Sequence, residues 1–313
     1  MPRYDTRCFP FETSETPRAR AMATDERILL CTDLDRTLLP NGPAPESPLA
    51  RPLFHHLVEH EPLLLAYVSG RNRSLIEAAI REWDLPLPDY AVADVGTTIH
   101  RPQAGEWQVW EPWWTHIGRA WGRRTAADLA PLFDDFEELA PQAPEHQGRY
   151  KLSFHAPADT DHAALLARMQ RRLGEQGLRA SLVWSVDETR PIGLVDVLPP
   201  DADKLGAIRF LMRELGLGPE QLLFAGDSGN DLPVLASEIP AVLVANASDA
   251  VREAAEWAAH EAGHDDRLYP ARGLSDDLNG NYAAGIIEGL VHYHPRMAEA
   301  VRRHLAHLQT SGS

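Results

Sequence analysis

In Ile28-Leu29-Leu30-Cys31-Thr32-Asp33-Leu34-Asp35-Arg36-Thr37 an uncharged run, Ile28 to Thr32, stops abruptly at two carboxylates. An apolar stretch of this length reads as a buried β-strand. At the carboxyl edge of a parallel sheet such a strand end is where ligands sit. Two carboxylates separated by one residue can divide the work there: one attacks an electrophile, the other gives and takes a proton. A turn or helix cap built from Asp and Thr side chains is the competing reading of the same residues.

Three further signals recur outward along the chain. Leu63 to Ser69 is a second apolar run, closed by Ser69-Gly70-Arg71, where a hydroxyl and a free backbone N–H suit a phosphate oxygen. Leu222-Leu223-Phe224-Ala225-Gly226 is another apolar strand, followed by Asp227-Ser228-Gly229-Asn230-Asp231. Carboxylates beside Gly, Ser and Asn suit a hard divalent cation with oxygen ligands. Lys204 follows Asp201 and Asp203 at the head of an amphipathic helix marked by Leu205, Ile208, Leu211, Met212 and Leu215, with Gly216 as its stop. A point cation there suits phosphate.

Other segments complete the pattern. Ser74 to Trp83 reads as a helix, Tyr90 to Asp94 and Ala241 to Ala245 as strands, and Gly285 to Val291 as a last helix. Strands alternating with helices predict an α/β chain with a doubly wound, mostly parallel sheet. The middle differs. Five of the eight Trp lie in 107–121, a helical stretch runs to about Leu139, and Tyr150 to His155, Leu182 to Val186 and Leu194 to Leu198 read as strands around a helix at Ala163 to Leu173. That is a compact α+β module inserted into the α/β chain. Asp265 to Asn281 reads as a polar loop.

In this order, DLDRT, SGR, DK and GDSGND resemble the haloacid dehalogenase superfamily of phosphatases. Leu65 to Arg71, Pro88-Asp89-Tyr90, Val95-Gly96-Thr97, Tyr150 to Ser153, Val195 to Pro199, Asn246 and Ala284 to Leu290 extend the resemblance to its sucrose-phosphate phosphatase branch, over roughly residues 27–295. The resemblance implies a Rossmann-like core at 27–111 and 199–295 and a small cap at 112–198 that closes on a sugar. It implies Asp33 as the nucleophile that forms a phosphoaspartate and Asp35 as the acid/base. Ser69 and Lys204 would hold the phosphoryl group, with Asp231 orienting the metal loop, its water or Lys204. Asp33, the backbone carbonyl of Asp35, and Asp227 would bind Mg2+. Thr37, Gly70, Arg71, Lys151, His155, Asp196 and Asn230 are the candidate substrate residues. Arg36 stands where the family often has a small residue.

The implied reaction is hydrolysis of a sugar phosphate, sucrose 6-phosphate first. Rivals are mannosylfructose phosphate, glucosylglycerol phosphate or mannosyl-3-phosphoglycerate as substrate, transfer of the phosphoryl group to another sugar, and a non-catalytic role beside a sugar-phosphate synthase.

Composition sets the outer bounds. The chain has 313 residues, 44% hydrophobic and 24% charged, an ordinary globular balance. A formal charge of −16 disfavours a nucleic-acid partner. No apolar run approaches the roughly 18 residues a membrane span needs. Two cysteines make no disulfide framework, and a cytoplasmic location is expected. Residues 1–26 read as a flexible tail, with Met22 an alternative start, and 296–313 as a frayed polar tail. Four features are expected to be structural. Cys31 reads as a small core residue, and the Trp cluster as hinge and cap packing rather than a sugar platform. Asp134 to Glu138 reads as a solvated helix face. His56 and His60 have metal-binding i, i+4 spacing, but with no third ligand near in sequence they too read as a solvated face.

Overall fold

The computed structural model describes residues 27–103, 105–186 and 191–311. The expected N-terminal tail, with Met22, lies outside them.

The main sheet runs β12-β11-β10-β1-β2-β3-β4-β5. Its strands are β1 (Ile28–Thr32), β2 (Leu63–Val68), β3 (Tyr90–Ala93), β4 (Thr98–Gln103), β5 (Glu106–Val109), β10 (Leu222–Gly226), β11 (Ala241–Leu243) and β12 (Leu268–Pro270). All pairings are parallel except the β4–β5 hairpin and its junction with β3. Strand β1 is the pivot: the chain winds from it through β2 and β3 to one side and through β10, β11 and β12 to the other. Every residue of β1, β2, β3 and β10 is buried, because helices cover both faces.

Alternation along β1 sorts the two layers. Ile28 and Leu30 point to the side of α1 (Ala50–His60) and α2 (Arg73–Trp83). Leu29 and Cys31 point to the opposite layer, which includes Trp110 beside α3 (Glu111–Ile117). Burial pushes the Cys31 thiol far above its ordinary pKa, so it is inert packing.

The chain then leaves the core. Strands β6 (Ala140–Pro141), β7 (Leu152–Pro157), β8 (Ser181–Val186) and β9 (Ile192–Leu198) form a separate antiparallel sheet, ordered β6-β7-β9-β8. After the short α4 (Ala126–Leu129), α5 (His162–Glu175) lays Leu165, Met169 and Leu173 on one face of this sheet. The expected helix to Leu139 is broken into short turns. Asp134 to Glu138 is a turn rather than a helix face: Phe136 is buried, and Asp135 and Glu138 pair with Arg172 and Arg168 of α5.

Back in the core, α6 (Lys204–Leu215), α7 (Leu232–Leu235) and α8 (Asp249–Ala262) lie on the Leu29 side. Helices α9 (Ala283–Tyr293) and α10 (Met297–Ser311) join α1 on the Ile28 side. Two expectations change here. The polar loop contains edge strand β12, and 297–311 is a helix rather than a frayed tail. Met297, Ala300 and Val301 are buried, with Leu305 and Leu308 continuing the stripe. The i, i+3, i+4 spacing is helical, but one alanine and interposed histidines weaken it as a sequence signal.

The α1–α10 seam also changes the reading of His56 and His60. Both face His304 or His307 of α10 rather than bulk solvent alone. Trp113 and Trp121 are fully buried and Trp110 nearly so; Trp113 packs on Phe210 and Trp121 on Tyr150. These rings tie the cap to the core. No helix among the described residues is long and apolar enough to cross a membrane.

Candidate active site

The register of three strands assembles the site. Thr32 of β1 lies opposite Ala225 of β10 and Tyr67 of β2, so Asp33, Asp227 and Ser69 emerge side by side at one edge. Asp33 is buried; its N–H donates to the Ala225 carbonyl at 3.0 Å, and its Oδ1 accepts from the Leu34 N–H at 2.8 Å. Lys204 is also buried, with Nζ 3.1 Å from Asp33 Oδ2 and 2.7 Å from Asp231 Oδ1.

Lys204 is aimed by its helix start. Asp203 caps α6 by accepting from the Gly206 N–H. Gly96 packs beneath that cap at φ +106°, and a Cβ there would come within 2.3 Å of the Asp203 carbonyl carbon. Only glycine permits both the backbone angle and the approach.

Asp231 is fully buried, and its Oδ2 accepts from the Asp227 N–H, the Ser228 N–H and the Ser228 hydroxyl at 3.0–3.1 Å. Asp227 accepts from the Thr37 hydroxyl at 3.3 Å and faces the Arg36 guanidinium at 3.3 Å. Arg36 sits at φ +56°. Asn41 and Asn246 hold that turn, accepting from its N–H and donating to its carbonyl.

One oxygen from each of Asp33, Asp227 and Asp231 lies within 4.8 Å of the others. Three buried carboxylates face one buried ammonium, so the cluster carries excess negative charge. Burial holds the Asp33 carboxyl above its ordinary range; Asp231 adds to this, and Lys204 opposes it without prevailing. Burial also pushes Asp227 up to about 6, again with help from Asp231. Burial pulls Lys204 down, but Asp33 and Asp231 outweigh it and keep it cationic. An all-oxygen set with unbalanced charge fits a hard divalent cation such as Mg2+. Asp231 is the least suited ligand, since its Oδ2 alone already accepts three hydrogen bonds while its Oδ1 holds Lys204.

Asp35 is in a different state. Arg71 clamps it bidentately, Nε to Oδ2 at 2.8 Å and Nη2 to Oδ1 at 2.6 Å, and Asn41 donates to Oδ1 at 2.7 Å. Burial pushes its pKa up, but these bonds and the arginine charges outweigh it and hold it below the usual carboxylate value.

The cap supplies the roof. A cavity of about 670 Å³ is lined on the core side by Asp33, Asp35, Ser69, Gly70, Arg71, Lys204, Asp227 and Asn230. On the cap side it meets Glu145, His146, Lys151, Ser181, Val183 and Asp196. Lys151 Nζ bonds the His146 carbonyl and Ser153 Oγ and lies 3.3 Å from Asp196.

The cavity does not gather every candidate. Thr37 and Asp231 lie beneath its floor, bonded to Asp227 and Lys204. His155 is outside the lining: it shares the Lys151 and Ser153 parity of β7 but lies two residues, roughly 7 Å, farther along the strand than Ser153. Asp94, Glu145 and His146 line the cavity without having been singled out. Asp94 follows β3, so the strand-end rule that marked Asp33 reaches it too. Asp94 and Val95 sit consecutively at φ +53° and +55°, strain of the kind that gathers at functional sites. Glu145 and His146 lie on a one-turn 3-10 segment with no sequence pattern.

Comparison with known proteins agrees with this geometry. Residues 26–294 match the family model of sucrose-6F-phosphate phosphohydrolase. A Nitrosococcus oceani protein named as a HAD-like hydrolase is 51% identical over 270 residues, 86% of this chain and 72% of its own length. The mannosylfructose-phosphate phosphatase of Agrobacterium fabrum is 28% identical, covering 85% of this chain and 96% of that protein. The sucrose-phosphatase of Synechocystis sp. PCC6803, solved with sucrose and phosphate, superposes with a TM-score of 0.64 at 26% identity, over 86% of this chain and 98% of that one.

Proposed function

The chain belongs to the sucrose-6F-phosphate phosphohydrolase family and is a phosphoric monoester hydrolase, and on that premise we propose that it hydrolyses a disaccharide phosphate, sucrose 6-phosphate first, with Mg2+. One observation carries the reading: the buried Asp33–Lys204–Asp231 chain and Asp227 open into a cavity whose opposite wall is polar cap surface.

In the first half-reaction an Asp33 oxygen attacks phosphorus, and the bond from phosphorus to the sugar oxygen breaks. Asp35 gives that departing oxygen its proton. In the second half-reaction Asp35 takes a proton from water, the water oxygen attacks phosphorus, and the bond to Asp33 breaks to release phosphate. Lys204 and the Ser69 hydroxyl hold the phosphoryl oxygens while charge shifts among them. Mg2+, held by Asp33, Asp227 and the Asp35 backbone carbonyl, would neutralise charge on the phosphoryl oxygens. Asp231 positions Lys204 and the Asp227 loop at once, since its two oxygens serve one each.

Arg71 sets a condition on this scheme. While it clamps Asp35, that group is a carboxylate with no proton to give. The arriving sugar phosphate therefore draws the guanidinium onto itself and frees Asp35 for proton transfer. On the cap side Lys151, Asp196, Glu145 and His146 offer the charged and hydrogen-bonding groups that sugar hydroxyls need.

A panel of phosphate esters with released phosphate measured tests the substrate. Sucrose 6-phosphate is expected to give the highest kcat/KM. Preference for mannosylfructose phosphate moves the assignment to the substrate of the Agrobacterium relative's name. Turnover of glucose 6-phosphate as fast as sucrose 6-phosphate removes the disaccharide reading. Free phosphate in less than stoichiometric yield, with a new sugar phosphate appearing, identifies transfer instead of hydrolysis.

A further inference from the structure

Four imidazoles meet in the seam between α1 and α10, on the opposite edge of the core from the carboxylates. His56 and His60 are one turn apart at the end of α1, and His304 and His307 one turn apart on α10. The ring centres of His56, His60 and His304 form a nearly equilateral triangle with sides of 5.6, 5.7 and 5.8 Å. His307 lies 5.9 Å from His56.

We propose that His56, His60, His304 and His307 form a binding site for a transition-metal ion of the zinc class, which clamps α10 to α1.

Three observations carry it. The first is size. Two imidazoles on one tetrahedral zinc, with Zn–N near 2.0–2.1 Å, have ring centres about 5 Å apart. The seam already holds them within an ångström of that value. The nitrogens themselves have not converged: among the described residues only the Asp33, Asp227 and Asp231 oxygens meet that condition, and the His60 and His304 planes are nearly parallel. Ring rotation about χ2 is soft, and His60 is exposed enough to turn.

The second observation is orientation. His304 is only 11% exposed, and its Nε2 lies 2.9 Å from Oε1 of Glu61, the residue just after α1. A carboxylate on one ring nitrogen holds the ring and leaves the other nitrogen to a metal, the usual arrangement behind metal-bound histidine. Arg303 shares Glu61, and Glu59 stands beside His60, so the surrounding charge is mixed rather than repelling a cation.

The third is placement and chemistry. Strand β2 starts three residues after His60 and runs to Val68, next to Ser69, so the seam lies roughly 20 Å from the catalytic edge. Imidazole favours zinc, nickel, copper and cobalt, whereas carboxylate oxygen favours magnesium. The two sites therefore do not compete for the same ion. The clamp would also join residues some 240 positions apart in sequence, tying the last helix to the first helix of the core.

The test uses untagged full-length protein saturated with Mg2+ and titrated with Zn2+ or Co2+. One equivalent of Zn2+ is expected to bind and to raise the melting temperature, and Co2+ is expected to give ligand-field absorption of nitrogen coordination. The His60→Ala/His304→Ala double variant should lose both effects while keeping its turnover with Mg2+. Asp227→Asn should keep both effects and lose turnover. Glu61→Gln should weaken Zn2+ binding by about 10- to 100-fold by releasing the ring of His304. If the double variant does not fold, the single variants His307→Gln and His60→Gln serve, and each should weaken Zn2+ binding. Zn2+ affinity unchanged in the histidine variants overturns the proposal. So does loss of Zn2+ binding in Asp227→Asn, which places the ion on the catalytic carboxylates, and so does no Zn2+ uptake beyond what excess Mg2+ displaces.

Discussion

The floor and the roof of the cavity are built on different principles. On the floor, Asp33, Lys204 and Asp231 are almost completely buried, and each polar atom is held by a strand end, a helix start or a neighbouring charge. On the roof, Lys151 and Asp196 keep 12% and 21% of their side chains exposed, Val183 is open, and their bonds run mostly to one another and to nearby cap residues. A rigid, over-determined floor suits steps that need fixed geometry. A half-solvated roof on a separate sheet suits recognition and can vary without disturbing the chemistry below. On the proposed function, the difference separates reaction class, assigned to the floor, from choice of sugar, assigned to the roof.

Breaking the floor should therefore cost far more than altering the roof. Asp33→Asn removes the proposed attacking carboxylate oxygen, and kcat is expected to fall by roughly 10⁴- to 10⁶-fold. Turnover within tenfold of the parent would sink the covalent scheme. Asp35→Asn should lower kcat by about 10²- to 10⁴-fold. Because its proposed contribution to the cation is a backbone carbonyl, Mg2+ affinity measured by calorimetry should stay close to the parent value. Equal loss of both would move the Asp35 side chain into the metal site.

On the roof, Lys151→Ala should raise KM for the preferred sugar phosphate by roughly 10- to 100-fold, the range for losing a hydrogen bond to a charged group. It should change kcat little. A drop in kcat with KM unchanged would place Lys151 in the reaction rather than in recognition.

The smallest effect concerns the charge stored in the floor. Asp33 and Asp227 have folded-state pKa values raised above their unfolded ones, Asp227 to about 6. Between about pH 4 and pH 6 the folded protein then holds more protons than the unfolded chain, so stability without metal falls as pH rises through that window. The metal-free protein should melt a few degrees lower at pH 7 than at pH 5. Saturating Mg2+ should flatten that slope, because the cation offsets the same carboxylates. A metal-free melting temperature that climbs from pH 5 to pH 7 would show that the cluster is not under electrostatic stress.

Much of this floor was legible before any coordinates. A buried strand leaves a short local pattern, and its last residue must emerge at the carboxyl edge, so Asp33, Ser69 and Asp227 announce themselves one strand at a time. Asp94 obeys the same rule but ends a strand of four residues, too short to stand out. Lys204 was not legible from its helix start alone, which reads as a solvated lysine; the order of the motifs singled it out, and the Gly96 contact that seats it joins segments about 100 residues apart. The roof was less legible, since antiparallel cap strands carry candidates on both faces and only packing says which face is roofed. Lys151 and Asp196 line the cavity, and His155 does not, although one strand carries both Lys151's neighbour Ser153 and His155.

The sequence by itself determined the doubly wound core, the inserted module and the strand-end carboxylates, because these depend on local hydrophobic period and on chain order. Only the tertiary structure decided that Arg71 clamps Asp35, that residues 297–311 form a buried-faced helix, and that two ordinary histidine pairs share one seam. Each of these depends on groups brought together across the fold by packing, and no local pattern encodes a distance between segments that meet only when the core closes.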